Sequence, residues 1–247
     1  MNKPNNSSTP FLTAAWRRII LFNYRVEAGI LQQYLPAHTE LDLWNDTCYV
    51  SLVGFMFQNT RIRGWQIPFH VDFEEINFRF YVRHQDKNTG EWKRGVVFIR
   101  EIVPKPAVTW IANTLYREQY RTRRTWRRWE EKPEKLQVEY AWREGGRWQS
   151  LAVQAENRPQ DLIAGSEAEF ITEHYWGYTR WDAHRTLEYR VEHPRWQVYP
   201  VQSWHGDVDF GRVYGPAFAG LNEAAPVSIF LAEGSEVRVY KGRFAGS

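Results

Sequence analysis

The sharpest alternation of apolar and polar positions in the chain falls at residues 73–83. From Glu75 onward, Ile76, Phe78, Phe80 and Val82 share one parity, while Glu75, Asn77, Arg79, Tyr81 and Arg83 share the other. Side chains of an extended strand alternate between its faces, so this segment is a strand with one apolar and one polar face. Residues 95–103 read differently: they are apolar except at Arg100 and Glu101. The polar stretch between the two, with Asp86, Asn88 and Gly90, predicts a hairpin.

The same reading along the rest of the chain predicts a first strand at 16–26 and paired strands at 41–44 and 47–57. Residues 135–142 and 148–155 form a hairpin about Gly145 and Gly146, and 227–231 pairs with 236–240 across Gly234. Strands at 185–192 and 196–201 are broken at Pro194. Helical spacing appears in three short places. Ile30, Leu31, Tyr34 and Leu35 lie in 27–35, which Pro36 ends, and Val108, Ile111, Ala112 and Leu115 lie in 107–116. Ser166-x-x-Glu169 is a capping box that opens a helix over 167–175. About three short helices among ten or more strands predict a mainly β chain, an antiparallel barrel or sandwich with peripheral helices. Residues 1–10 are a polar lead expected to be disordered, and 11–241 a single domain.

Aromatic residues make up 16% of the 247 residues, which suits pleated half-buried surfaces and equally the walls of a ligand cavity. The net charge of +3 is too small to mark the whole chain for a polyanionic partner. The lone cysteine, Cys48, cannot form an intrachain disulfide. The amino-terminal stretch lacks the pattern of a signal peptide, and no apolar run approaches the ~18 residues of a membrane span. These features predict a cytoplasmic protein.

The polar row of the first strand admits two placements. On an open sheet it faces water; in a closed barrel with its apolar row packed outward, it lines an internal cavity. The register of the hairpin matters as much. Folding about Asn88 sets Glu101 on the face of Glu75, whereas a slip of one residue presents Arg100 instead. The first register makes a carboxyl pair suited to acid–base chemistry, and the second makes an ion pair.

Residues 73–82 resemble the F-x-E-(I/L)-N-x-R-x-Y-V signature of the YqjF-like proteins, a bacterial family of unknown function. Further segments agree: 41–43 with 49–55, 95–98, 115–120, Glu173-His174-Tyr175, and His193-Pro194-x-Trp196. The resemblance runs over about residues 11–240 and implies a fold like that of acetoacetate decarboxylase, a closed cone-like antiparallel β-barrel around an apolar cavity. It places Glu75, Asn77 and Arg79 inside, with Glu75 matching a cavity carboxylate of those enzymes. The decarboxylases of that group use a Schiff-base lysine in a Gly-x-Pro-Lys-Lys-like segment. The corresponding residues here, 116–121, contain no lysine, and Lys105 sits between Pro104 and Pro106, outside the motif. Without that amine there is no imine to act as an electron sink, so Schiff-base decarboxylation is not expected.

The leading expectation is a cavity for a small apolar molecule or one bearing a carboxylate or carbonyl. Arg79 would pair with an anion, Glu75 and Asn77 would orient the ligand, and Tyr116 and Tyr120 would supply aromatic wall. The alternative is an acid–base enzyme on the same cavity, lyase- or hydratase-like, with Glu75 and Glu101 as catalytic groups. A third reading rests on residues 117–129, where six arginines interleave with Trp126 and Trp129, a composition suited to nucleic acid or a protein partner. Glu130, Glu131 and Glu134 follow at once and favour salt bridging instead. His205-x-Asp207-x-Asp209 is read as a polar loop, and neither metal nor cofactor is expected. Homo-oligomerisation is left open.

Overall fold

The computed structural model describes residues 9–246, so most of the expected disordered lead lies outside the described residues. The chain is mainly β. In order, it forms β1 (Leu12–Arg25), α1 (Ala28–Gln32), β2 (Glu40–Leu41), β3 (Tyr49–Ile62), β4 (Phe73–Gln85) and β5 (Trp92–Val103). Then come α2 (Pro106–Leu115), β6 (Tyr120–Thr122), β7 (Thr125–Lys132), β8 (Lys135–Glu144) and β9 (Arg147–Glu156). The last part holds β10 (Gln160–Asp161), α3 (Glu167–Thr172), β11 (Trp176–Arg180), β12 (Thr186–Glu192), β13 (Gln197–Tyr199) and β14 (Val201–Asp207). It closes with α4 (Phe210–Tyr214), a 3-10 helix (Pro216–Asn222), β15 (Ser228–Val239) and β16 (Arg243–Phe244).

Two sheets result. The larger runs β10-β13-β15-β1-β3-β4-β5-β11-β12-β16, with β2 beside β4 and β6 beside β5. Most of its pairings are antiparallel, but β5 pairs in parallel with both β11 and β6, which departs from the all-antiparallel expectation. β12 also meets β15, pairing Val191 with Val239 and Glu192 with Arg238. The smaller sheet is a meander, β14-β9-β8-β7.

The two faces of the large sheet are packed differently. Ile76, Phe78, Phe80 and Val82 are fully buried on one face, in a core shared with Leu136, Val138, Tyr140 and Trp142 of the small sheet. Phe78 also stacks among Phe210, Tyr214 and Phe218, with ring centroids 5.6, 4.4 and 5.0 Å away. A second core, around Phe55, Phe57, Phe73 and Trp196, lies on the other face. The apolar row of β4 therefore packs against a second sheet.

Some local expectations fail for identifiable reasons. Among the described residues five helices form rather than about three: the two additional ones, α4 and the 3-10 helix, follow Asp209, whose carboxylate caps α4 by accepting from Arg212 N at 3.0 Å. Gly234 does not turn a hairpin. β15 runs straight through it opposite Arg17 with φ +80°, and a Cβ there would stand 2.0 Å from the Trp16 carbonyl oxygen. Residues 41–44 do not form a hairpin with β3 beyond a bridge between Trp44 and Thr47; β2 joins β4 instead. Among the described residues, no helix is long and apolar enough to cross a membrane.

Candidate functional site

The polar face of β4 opens onto a cavity of about 250 Å³. Trp16, Phe55, Phe57 and Phe98 form much of its wall, and Val108 and Ile111 of α2 lie over it with Ile67 and His70 from the segment after β3. Glu75, Asn77, Arg79, Glu101, Tyr116 and Tyr120 all line this one space. The sequence-derived candidates are thus brought together from β4, β5, β6 and the end of α2.

A bulge decides which residue of β5 enters. Between Gln85↔Trp92 and Arg79↔Phe98 the hairpin keeps one register, and continuing it would set Arg100 opposite Asn77. The register shifts between Phe78 and Arg79, so that Arg100 faces Phe78 and Glu101 faces Asn77. Ile99 and Arg100 then both lie toward the small sheet, and Glu101 turns into the cavity. Neither simple register considered from sequence has this form.

Three buried carboxyls converge here. Glu75 accepts from Asn77 Nδ2 at 3.1 Å on one oxygen and from the Tyr120 hydroxyl at 3.0 Å on the other. Burial pushes its proton affinity up to about 7, against the pull of Asn77, Tyr120 and the nearby Arg79 guanidinium. Glu101 is only 2% exposed, and its Oε2 has no hydrogen-bond partner among the described residues. Burial holds it well above the usual carboxylate range, and the charges of Glu118 and Glu75 push the same way. Glu118, unmarked in the sequence reading, is the third. Its Oε1 accepts from Thr179 Oγ1 at 2.6 Å and from the Tyr189 hydroxyl at 3.0 Å, and burial raises it to about 7.

The segment after α2 places two of these groups. Arg117 adopts φ +54°, which turns the chain out of the helix. Asn113 then clasps Tyr120, accepting from its N–H at 2.8 Å and donating to its carbonyl at 3.0 Å. β6 pairs Tyr120 with Glu101, so Glu118, Tyr120 and Glu101 are neighbours.

Other groups line the space. Arg79 is half-buried, 5.7 Å from the Tyr81 ring, and its Nε has no partner among the described residues. Burial pushes the Tyr116 phenol to about 12. His174 lies 3.2 Å from Asp42, which also binds Arg94 at 2.6 Å, and burial lowers the imidazole to about 4. His193 stacks on Trp196 at 4.3 Å. No lysine lines the cavity among the described residues.

The arginine-rich segment runs from the end of α2 through β6, beside β5 in the large sheet, to β7 at the edge of the small sheet. Arg123 binds Glu144 through two bonds of 2.6 and 3.0 Å, Arg127 binds Glu74 at 2.5 Å, and Arg128 binds Glu139 at 3.1 Å. His205 and Asp207 lie on β14, where Asp207 pairs with Arg147, and Asp209 caps α4.

Similarity to known proteins agrees with this architecture. Acetoacetate decarboxylase from Legionella pneumophila subsp. pneumophila str. Philadelphia 1 superposes with a TM-score of 0.62 at 12% identity, over 99% of this chain and 92% of that one. The enduracididine biosynthesis enzyme MppR, with HEPES buffer bound, gives 0.69 at 13% identity over 98% and 91%. An acetoacetate decarboxylase-like enzyme from Sphingomonas wittichii RW1 gives 0.66 at 12% identity over 100% and 98%. At these identities the likeness establishes the fold alone. In sequence, the chain is 33% identical over 73 residues to the uncharacterized protein YqjF of Bacillus subtilis (strain 168), a match spanning 29% of this chain and 30% of that protein. The model of the DUF2071 family, described as an uncharacterized conserved protein, matches residues 13–236. The chain belongs to the DUF2071 family, on a fold like that of acetoacetate decarboxylase.

Proposed function

We propose that this cavity binds a small amphipathic molecule bearing a carboxylate or carbonyl, and that the chain transfers a proton on it as an acid–base enzyme. The single observation that carries the reading is the convergence of Glu75 and Glu101 in one cavity beside an arginine with an unpartnered Nε. Buried carboxyls at close quarters do not all ionise together. Burial pushes Glu75 up to about 7 and holds Glu101 well above the usual carboxylate range. The cluster therefore holds a base and an acid at the same time, which enolisation of a carbonyl compound requires. Arg79 anchors the carboxylate through its guanidinium, Asn77 holds Glu75 in place, and Tyr116 and Tyr120 wall the ligand.

The meeting of β12 with β15 supports a closed barrel, with ring β15-β1-β3-β4-β5-β11-β12 around the cavity. Such closure keeps bulk water from the carboxyls and sustains their raised proton affinity. Among the described residues the lining contains no lysine to form an imine, so the chemistry proposed here is proton transfer rather than Schiff-base decarboxylation.

The test uses 2-oxo acids. Pyruvate is one choice, since MppR has been observed with it, and 2-oxohexanoate adds an apolar tail for the aromatic wall. Binding is followed by calorimetry, and deuterium exchange at C3 by proton NMR in heavy water. The expected result is exchange catalysed by the wild type and reduced about 100-fold or more in Glu75→Gln, with affinity kept within about threefold. Arg79→Ala should weaken binding instead. No binding and no exchange with either acid, or exchange untouched by Glu75→Gln, would overturn the reading.

A further inference from the structure

A second polar arm reaches the cavity opposite the one that β4 supplies. Glu118 stands at its end, 7% exposed, between α2 and β6. Its two donors come from different strands: Thr179 from β11 and Tyr189 from β12. Both bonds fall on Oε1 rather than one on each oxygen. Glu75 is held otherwise, with one donor on each oxygen and a guanidinium nearby.

This arm has space made for it. Gly177 lines the cavity beneath Tyr189, and a Cβ there would stand 2.1 Å from the Tyr189 Cζ and 2.5 Å from its hydroxyl. Any larger residue displaces the phenol that orients Glu118. The parallel pairing of β5 with β11 and β6, unusual in an otherwise antiparallel sheet, is what brings Gly177 and Tyr120 alongside β5.

Resting on the acid–base reading above, we infer that Glu118 is a further catalytic group of the cavity: the acid that protonates the oxygen of a bound carbonyl compound while Glu75 takes the proton from its carbon. Tyr189 and Thr179 are positioning residues for it, and Gly177 is the opening that admits Tyr189. The step balances within the cavity. The Glu75 carboxylate removes the proton from the carbon next to the carbonyl, and the C–H electron pair becomes the new C=C bond. The carbonyl π pair passes to oxygen, which takes the Glu118 proton, so that a neutral enol forms. Glu75 ends protonated and Glu118 ionised, and the reverse step with a solvent deuteron labels the substrate.

The roles follow from the surroundings. Arg79 and two donors, one on each oxygen, favour the Glu75 carboxylate. Glu118 has no cation among the groups that shift it, and its Oε2, which neither Thr179 nor Tyr189 binds, can carry the proton it donates. The titratable groups facing it are Glu75 from β4, Glu101 from β5, Tyr120 from β6 and Tyr189 from β12.

The test is the pH dependence of deuterium exchange into pyruvate and 2-oxohexanoate. Glu118→Gln should lower exchange about 100-fold or more and remove the alkaline limb of the profile, with binding within about threefold. Tyr189→Phe and Thr179→Val each remove a donor to the Glu118 carboxylate, so each should move that limb upward, by on the order of half to one pH unit. Gly177→Ala should match Tyr189→Phe, whereas a purely structural role would lower the rate without moving the limb. Glu118→Asp should recover part of the rate. Exchange present in the wild type and unchanged in rate and pH profile in Glu118→Gln would overturn the assignment and leave the Glu75 reading standing. Exchange absent from the wild type would overturn both.

Discussion

The two faces of β4 sit back to back on one strand, yet they are built on opposite terms. On one side Ile76, Phe78 and Phe80 meet the small sheet and α4 in a mainly apolar core that carries no carboxyl, although Trp142 Nε1 and Tyr214 Oη lack partners there among the described residues. On the other, Glu75, Asn77 and Arg79 face a cavity whose buried polar atoms are only partly satisfied. Asn77 Oδ1, Arg79 Nε and Glu101 Oε2 all lack partners among the described residues. Such orphaned atoms cost stability, and a strand tolerates them only where the rest of the fold supplies the surplus. The dry face supplies it, and the wet face holds the polar groups that line the cavity.

That contrast predicts its largest effect on the dry side. Phe78→Ala removes a fully buried ring that contacts Phe210, Tyr214 and Phe218, and should cost about 3–5 kcal/mol in urea unfolding. A loss below about 1 kcal/mol would show that the two sheets are not held together at this point. On the wet side the sign should reverse. Glu101→Gln removes a buried group with an unpartnered oxygen and should stabilise the chain by about 1–3 kcal/mol at pH 8. Destabilisation there would mean that the Glu101 carboxylate has a partner in solution.

The pH dependence gives the same contrast a direction. Burial raises the proton affinity of Glu75, Glu101 and Glu118 above that of the unfolded chain, so the folded chain binds more protons. The stabilising contribution of Glu75 and Glu118 is complete below about 4.5 and is lost as pH rises through about 7, and Glu101 acts in the same direction. His174 acts oppositely: it is lowered from 6.5 to about 4, and its contribution disappears as pH falls through that interval. Between pH 6.5 and 8 the carboxyls dominate, and the thermal midpoint should fall. In Glu101→Gln that fall should be shallower, and a parallel curve would remove Glu101 from the cluster.

Legibility in the sequence followed the same division. The dry face was plain, because a row of period two needs only local residue types to declare itself. Glu75, Asn77 and Arg79 were found with it. Glu101 was left undecided because a bulge at Ile99 sets its direction, and a bulge leaves no mark in apolar periodicity. Glu118 and Tyr189 went unmarked for another reason. Glu118 lies in a short run between helix and strand, directed by a left-handed residue at Arg117, and Tyr189 matters only through the close approach over Gly177. One faint signal was available: an isolated acid between Arg117 and Arg121, just past the end of a helix. Gly234 misled in the opposite way, since glycine marks bulges and turns alike.

Tyr120→Phe gives a smaller and more specific effect. The phenol donates to Glu75 at 3.0 Å and stabilises its charged form. Without it the Glu75 proton affinity should rise, moving the acid limb of the exchange profile upward by on the order of half a pH unit. Global stability should change by less than about 1.5 kcal/mol, the net value of one hydrogen bond. An unmoved limb would mean that Tyr120 serves Glu101 rather than Glu75.

The smallest effect belongs to the exposed edge strand of the small sheet. Arg128 on β7 is 69% exposed and binds Glu139 across the strand pair at 3.1 Å. A solvated pair gains little Coulomb energy and loses side-chain entropy, so Arg128→Ala should change stability by less than about 1 kcal/mol and leave exchange untouched. The same variant in 0.5 M salt should be indistinguishable from the wild type, because screening removes what little the pair contributes. A larger loss that persists in salt would show that the β7 edge, with Arg123 on Glu144 and Arg127 on Glu74, acts as one network that braces the back of β4. Glu74 stands next to Glu75 in the chain, so a network of that kind would tie the arginine-rich edge to the cavity through a single peptide unit.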